Sequence, residues 1–206
     1  MLQFDAVEPR TLDLLRKLSD HKDLTGFRLV GGTSLALQLG HRLSIDLDFF
    51  SDKKNNLDEI EFNLSSWPSA FLQEKSSYAL FYLINNIKVD ILNYPYPFMF
   101  DPLQDGTIQL ASVKDIISMK LKTIMNRGSK KDFYDIYFIL KVYSLEAMLE
   151  LFVSKYKNIE PMSLYKSLNY FEDADQDIDP VLLKEKHLTW QDIKQEITAQ
   201  TKAYFK

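Results

Sequence analysis

Asp46 and Asp48 stand two residues apart in Ile45-Asp46-Leu47-Asp48-Phe49, where acidic and apolar side chains alternate. A period of two marks a half-buried strand, with both carboxylates on one face and Ile45, Leu47 and Phe49 on the other. Two residues of strand rise separate their backbones by about 6–7 Å. Side chains can converge across that gap onto one or two divalent ions. Oxygen-only ligands favour hard cations, Mg2+ or Mn2+, and Mg2+ is commonly shared with a phosphate. An isolated Asp-x-Asp is more simply a solvated sheet face, so the chemistry needs further support.

Two other features supply it. Gly31-Gly32-Thr33 follows the apolar strand pattern at 27–30 and precedes a helical one, and glycines there let a backbone approach a phosphate at a helix N-terminus. Asp90 interrupts the apolar run Lys88-Val89-Asp90-Ile91-Leu92. An acid within such a strand calls for a partner unless the strand is a solvated edge. A phosphate-type turn, paired aspartates and a third strand acid together fit nucleotidyl transfer better than three coincidences.

The elements that must position these residues are legible in outline. Pro9 opens a helix carrying Leu12, Leu14, Leu15 and Leu18, and Thr33 is expected to cap a second helix that Gly40 closes. Asn85-Asn86 between apolar runs at 78–84 and 87–92 predicts a tight hairpin, because Asn tolerates positive φ. From Ser112 the pattern is helical. Ser112 with Asp115 and Ser129 with Asp132 read as capping pairs, and Gly128 ends the helix between them. The expected fold class is α+β: a small mixed sheet flanked by helices over residues 1–108, followed by a helical region over 109–206 packed on it.

Composition sets the bounds. The chain has 206 residues, 46% hydrophobic and 26% charged, with 14 Phe and 11 Tyr, enough for an aromatic-rich core. It has no cysteine, which rules out disulfides and thiolate chemistry. No apolar stretch reaches the ~20 residues that span a bilayer, and the first residues lack a signal pattern, so a cytoplasmic protein without membrane partners is expected. The net charge of −4 argues against a surface coated for duplex binding. Locally, residues 112–131 carry Lys114, Lys120, Lys122, Arg127, Lys130 and Lys131 against Asp115, the best basic lip for a nucleotide or RNA. The alternating Asp173, Asp175, Asp177 and Asp179 fail the calcium-loop pattern, with Ile178 and Lys184 where Gly and Glu are needed, and read as a solvated loop.

The run Leu29-Val30-Gly31-Gly32-Thr33-Ser34-Leu35-Ala36, followed by His41-Arg42-Leu43-Ser44-Ile45-Asp46-Leu47-Asp48-Phe49-Phe50, resembles the AbiEii/AbiGii toxin family of nucleotidyltransferases. That family's later motif, a lysine and then Arg/Lys-Asp-x-Tyr-Asp, is matched by Lys120 and by Lys131-Asp132-Phe133-Tyr134-Asp135. The likeness covers roughly residues 27–140. It implies a nucleotidyltransferase-like sheet, a nucleoside triphosphate donor, and a tRNA end or protein hydroxyl as acceptor, with pyrophosphate released. It further implies a toxin of a toxin–antitoxin or phage-defence system with a cognate antitoxin protein. On this resemblance Asp46, Asp48 and Asp90 would hold the metal, Asp90 alternatively serving as base. Lys120 would offset triphosphate charge and Asp135 would be a further active-site acid. Gly31, Gly32, Thr33, Ser34, Arg42 and Lys131 would contact the nucleotide.

Several of these residues have plainer readings. Arg42 could pair with an aspartate and fix its loop, and His41 reads as a loop residue. Lys131 and Asp135, at i,i+4, could pair along a helix for ~0.2–0.5 kcal/mol. Tyr134 and Tyr137 read as core aromatics. Two other functions stay open at this point: a nucleotide-fold protein that binds without turnover, and an Asp-x-Asp glycosyltransferase.

Overall fold

The computed structural model describes residues 1–67, 69–157 and 159–205. Pro9 begins α1 (Pro9–Ser19) in the first turn, where its missing N–H is no loss, and Leu14, Leu15 and Leu18 are buried on one stripe. The expected strand at 27–30 contracts to β1 (Arg28–Leu29), and α2 (Gly31–Leu39) follows after one residue. That one residue, Val30, is extended and serves as the N-cap, so Thr33 lies inside the helix rather than capping it. Gly40 terminates α2 as anticipated. β2 (Leu47–Ser51) starts one residue after Asp46. The alternation does not extend back to Ile45, which is 52% exposed, because 41–44 is tied down by bridges from Arg42 to Leu182 and from Val7 to Ser44.

After α3 (Leu57–Leu64) come β3 (Ala70–Lys75), β4 (Ala79–Ile84) and β5 (Ile87–Asn93). Asn85 and Asn86 take φ of 52° and 63°, the two positive angles that a twisted two-residue hairpin requires. With β6 (Leu103–Asp105) and β7 (Ile108–Leu110) the strands form one seven-stranded sheet in the order β3-β4-β5-β2-β1-β7-β6. β7 spans the expected 108/109 boundary and pairs in parallel with β1, so the sheet draws on both sides of that division.

The pairing that matters for chemistry is β2 with β5. These strands are parallel and in register, with Asp48 directly opposite Asp90. Leu47, Phe49, Val89 and Ile91 point to one sheet face, into a core shared with α1 and α3. Their alternating neighbours face the other side, towards α4 (Val113–Asn126) and α5 (Lys130–Leu140). Those helices form a second core with α6 (Leu145–Lys155), α7 (Pro161–Leu168), the single turn α8 (Glu172–Asp175) and α9 (Trp190–Tyr204). Tyr134 and Tyr137 are buried in that core, as expected.

Ser112 caps α4 by accepting from the Asp115 N–H at 3.1 Å. Asp115 itself is buried, 3.0 Å from the Lys155 ammonium of α6. Ser112→Ala should therefore cost about 1 kcal/mol of stability, read as a lower urea midpoint with unchanged slope. An unaltered midpoint would show that the cap contributes nothing.

Candidate active site

Asp48 and Asp90 share one sheet face on neighbouring strands, and Asp46 enters from the loop just before β2. All three line one cavity of about 280 Å³, together with Gly31, Gly32, Thr33, Arg42, Lys120 and Lys131. Burial and the facing Asp90 push the Asp48 carboxyl up to about 7, against the opposing pull of Lys120. Burial and the charge of Asp46 likewise raise Asp90. Asp48 and Asp90 are thus each strained by desolvation and by a neighbouring acid's charge.

As placed, the acids do not enclose an ion. Among the described residues no three acidic or histidine side chains form a metal-sized group. The Asp46 carboxylate is drawn 3.3 Å from the Lys131 ammonium, in a pair about half exposed on the lysine side. Such exposed pairs are worth about 0–1 kcal/mol, so a cation competes for Asp46 at little cost. Hard oxygen donors and mutual repulsion between half-buried carboxylates are the chemistry a divalent cation relieves, and the acids fit one in that sense.

The two glycines have a reason beyond phosphate approach. Gly31 has φ +67°, and a Cβ there would lie 2.1 Å from Asp48 Oδ2. A Cβ on Gly32 would lie 2.4 Å from Arg42 Nη2. The pair therefore admits a carboxylate and a guanidinium onto the first turn of α2. Gly31→Ala is expected to destabilise the fold by about 2 kcal/mol or more, through backbone strain and displacement of Asp48; a thermal melt matching wild type would refute that close approach. The Thr33 hydroxyl donates to the Asp46 carbonyl oxygen and lies 2.9 Å from Ser44 Oγ. It anchors the acidic loop. Ser34 is buried away from the cavity, its carbonyl and hydroxyl oxygens accepting from Gln38.

Behind the acids lies a buried charge network. Asp135 is 0% exposed, accepts from Arg42 Nε at 2.7 Å and Nη2 at 2.9 Å, and forms an ion pair with Lys120 Nζ at 2.6 Å. Although burial would raise it, these cations hold the Asp135 carboxyl well below the usual carboxylate range. His41 Nε2 lies 2.7 Å from the same carboxylate. Burial lowers the His41 pKa, so the neutral ring donates from Nε2 and leaves Nδ1 without a partner among the described residues. Burial would also lower Lys120, but Asp132, at 2.7 Å, and Asp135 more than offset it and raise its pKa.

Arg42 thus takes the aspartate-pairing role while keeping one edge on the cavity. His41 lies in the loop after α2, as expected, but is buried there and donates to Asp135. Lys131 pairs with Asp46 rather than with Asp135, so the i,i+4 reading fails for tertiary reasons: Asp135 turns inward to three other partners. The basic segment also divides. Lys120, Arg127 and Lys131 reach the cavity, while Lys114, Lys122 and Lys130 lie over the rings of Phe100, Tyr156 and Trp190. The acidic run is not simply solvated. Asp177 accepts from the Lys130 N–H at the start of α5, Asp179 from the Tyr134 hydroxyl, and Asp175 from Trp190 and Lys194.

Sequence reasoning passed over Phe50, Lys88, Met119 and Thr123, which line the same cavity. Phe50 and Lys88 lie two residues from Asp48 and Asp90, and the same alternation that paired the acids would have placed them. Met119 and Thr123 flank Lys120 on one helical stripe.

The mixed sheet with this site is that of a nucleotidyltransferase fold. It resembles a Helicobacter pylori protein described as a candidate nucleotidyltransferase, with TM-score 0.57 at 20% identity over 95% of each chain. MenT4, a nucleotidyltransferase toxin of Mycobacterium tuberculosis, aligns with TM-score 0.52 at 14% identity over 95% of this chain and 86% of that one. At such identities the likeness is one of fold. Residues 13–205 match the AbiEii nucleotidyl transferase toxin family of type IV toxin–antitoxin systems, and the chain belongs to that family. The match extends well beyond residues 27–140 into the helical region. An uncharacterized protein of Aquifex aeolicus is 34% identical over 190 residues, 86% of this chain and 87% of that protein.

Proposed function

We propose that this protein transfers a nucleoside monophosphate from a nucleoside triphosphate to an acceptor hydroxyl, on an RNA 3′ end such as that of tRNA or on a protein side chain. In this reading it works in the cytoplasm as the toxin of a toxin–antitoxin or phage-defence pair, with a cognate antitoxin protein. The observation that carries the proposal is the convergence in one cavity of three acids, a helix N-terminus and a cationic wall. Family membership supports nucleotidyl transfer over the glycosyltransferase alternative. No helix among the described residues is long and apolar enough to cross a membrane.

Asp46, Asp48 and Asp90 would hold Mg2+ or Mn2+, which when bound neutralises triphosphate charge and orients the α-phosphate. The remaining work falls to the chain. The first turn of α2, at Gly31 and Gly32, offers backbone N–H groups and a favourable dipole to phosphate oxygens. The Lys120 ammonium has three donors; one goes to Asp132, while Asp135 pairs with it by charge, so donors remain for the triphosphate. Arg42 and Lys131 add positive charge at the wall. Asp135 acts from behind, fixing Arg42 and Lys120 in place. Where Asp90 serves as base rather than ligand, the acceptor oxygen bonds to the α-phosphorus as its proton passes to that carboxylate; with Asp90 on the cation the proton passes to water. The bond from the α-phosphorus to the bridging oxygen breaks, and pyrophosphate leaves.

The test uses each labelled triphosphate in turn with total cellular RNA and protein. Label should enter one acceptor class with Mg2+ and fall to background with a chelator. Binding of a Mg2+–triphosphate without label transfer would instead identify a binding module. Absence of both would sink the proposal.

A further inference from the structure

The cavity lining is of two kinds. Asp46, Lys88, Arg127 and Lys131 are charged; Phe50, Ile116 and Met119 are apolar. Both kinds occur along α4. Ile116, Met119, Lys120 and Thr123 share one stripe of that helix, and Arg127 is the extended residue that caps its C-terminal end. Arg127 is near enough to Asp90 to oppose the rise in its pKa. Lys120 and Lys131 adjoin Asp48 in the same way, while in chain order Asp46 precedes Asp48, just ahead of β2, and Phe50 follows it on the same face. Phe50 and Met119 pack against the cluster containing Ile116.

Phe50 is held in place from behind. Its ring lies 5.3 Å from Tyr94, tilted by 38°. Tyr94 in turn contacts the rings of Tyr96 and Phe98, and its hydroxyl bonds to that of Tyr156. Phe50 and Met119 are only half-buried, so each keeps surface towards the cavity. A triphosphate gains nothing from that surface, whereas the flat face of a base does. Phe50 lies two strand residues beyond Asp48, about 6–7 Å, a span that one ribose bridges.

We infer that the donor's nucleobase packs on the Phe50 ring, with Met119 as the opposing apolar contact; this rests on the triphosphate lying at Asp46, Asp48 and Asp90. Phe50 is then a nucleotide-binding residue, and the Tyr94–Tyr156 pair is the support that orients it.

Calorimetry with Mg2+ and two kinds of probe, the nucleoside triphosphates and inorganic tripolyphosphate, separates base from phosphate contacts. Wild type should bind both. Phe50→Leu, which keeps an apolar side chain and removes the ring, should weaken the best-bound nucleoside triphosphate about 10- to 100-fold and leave tripolyphosphate affinity unchanged. Phe50→Tyr should bind both as wild type does. Retained tripolyphosphate binding also certifies an intact fold. Equal nucleotide affinity in wild type and Phe50→Leu, or parallel loss of both probes, overturns the inference. Wild type that binds tripolyphosphate no better than Phe50→Leu and nucleotides no better than tripolyphosphate overturns it as well. Failure of wild type to bind either probe removes the triphosphate site itself, and the inference with it.

Discussion

Asp48→Asn is expected to lower nucleotide transfer by about 10²–10³-fold while making the metal-free protein more stable than wild type at pH 8. The loss of activity follows from removing one charge of the acid group that fits the cation. The gain in stability follows from linkage. Unfolded, Asp48 ionises near 3.8; folded, burial and Asp90 push it up to about 7. Between those values the folded chain holds more protons than the unfolded one, so this group's contribution falls as pH rises. It is fully favourable to the fold below about pH 4 and lost by about pH 7. The rise from 3.8 to about 7 is worth at most ~4 kcal/mol. Denaturant titrations in chelator at pH 5 and pH 8 measure it: wild type should lose stability between them and Asp48→Asn much less. Equal pH dependence in the two proteins would show that Asp48 is not strained. Retained activity would remove it from the chemistry.

Asp135→Ala should be the most damaging single change to stability, about 3–5 kcal/mol. The carboxylate satisfies Arg42, Lys120 and His41 at 2.6–2.9 Å with no exposure. Removing it leaves two buried cations, of which Lys120 alone retains an acid, Asp132. Because the folded pKa of Asp135 is depressed, its contribution is fully present above the ordinary carboxylate range and disappears only as pH falls through the folded value. The check is a denaturant midpoint at neutral pH for wild type and variant. A cost under about 1 kcal/mol would mean that the network is dispensable. Activity should fall too, since Arg42 and Lys120 both face the cavity.

The strands and turns around the site were legible because they are specified locally. Alternation at 45–49, which holds from Leu47 onward, and the apolar run at 87–92 mark which side chains share a face, and Asn85-Asn86 supplies positive φ without distant help. The capping serine at 112 and the terminating Gly40 are likewise short-range chemistry. Family motifs in order and spacing added what no single residue could. Thr33 was misread as a cap for the same local reason. Its hydroxyl suits a cap, but the loop ending at Asp46 claims it, while Val30, with no capping side chain, supplies the extended backbone before the helix.

What remained hidden is electrostatic and long-range. Asp135 lies more than ninety positions from His41 and Arg42, and only folding shows that these are its partners rather than Lys131. The parallel register that sets Asp48 against Asp90 joins strands separated by the whole of the β3–β4 region, and no spacing rule predicts it. Sequence pattern decides which face a side chain takes, because the backbone period is fixed. Which charge meets which across the interior is decided only by packing, because buried ions must find partners wherever the fold brings them.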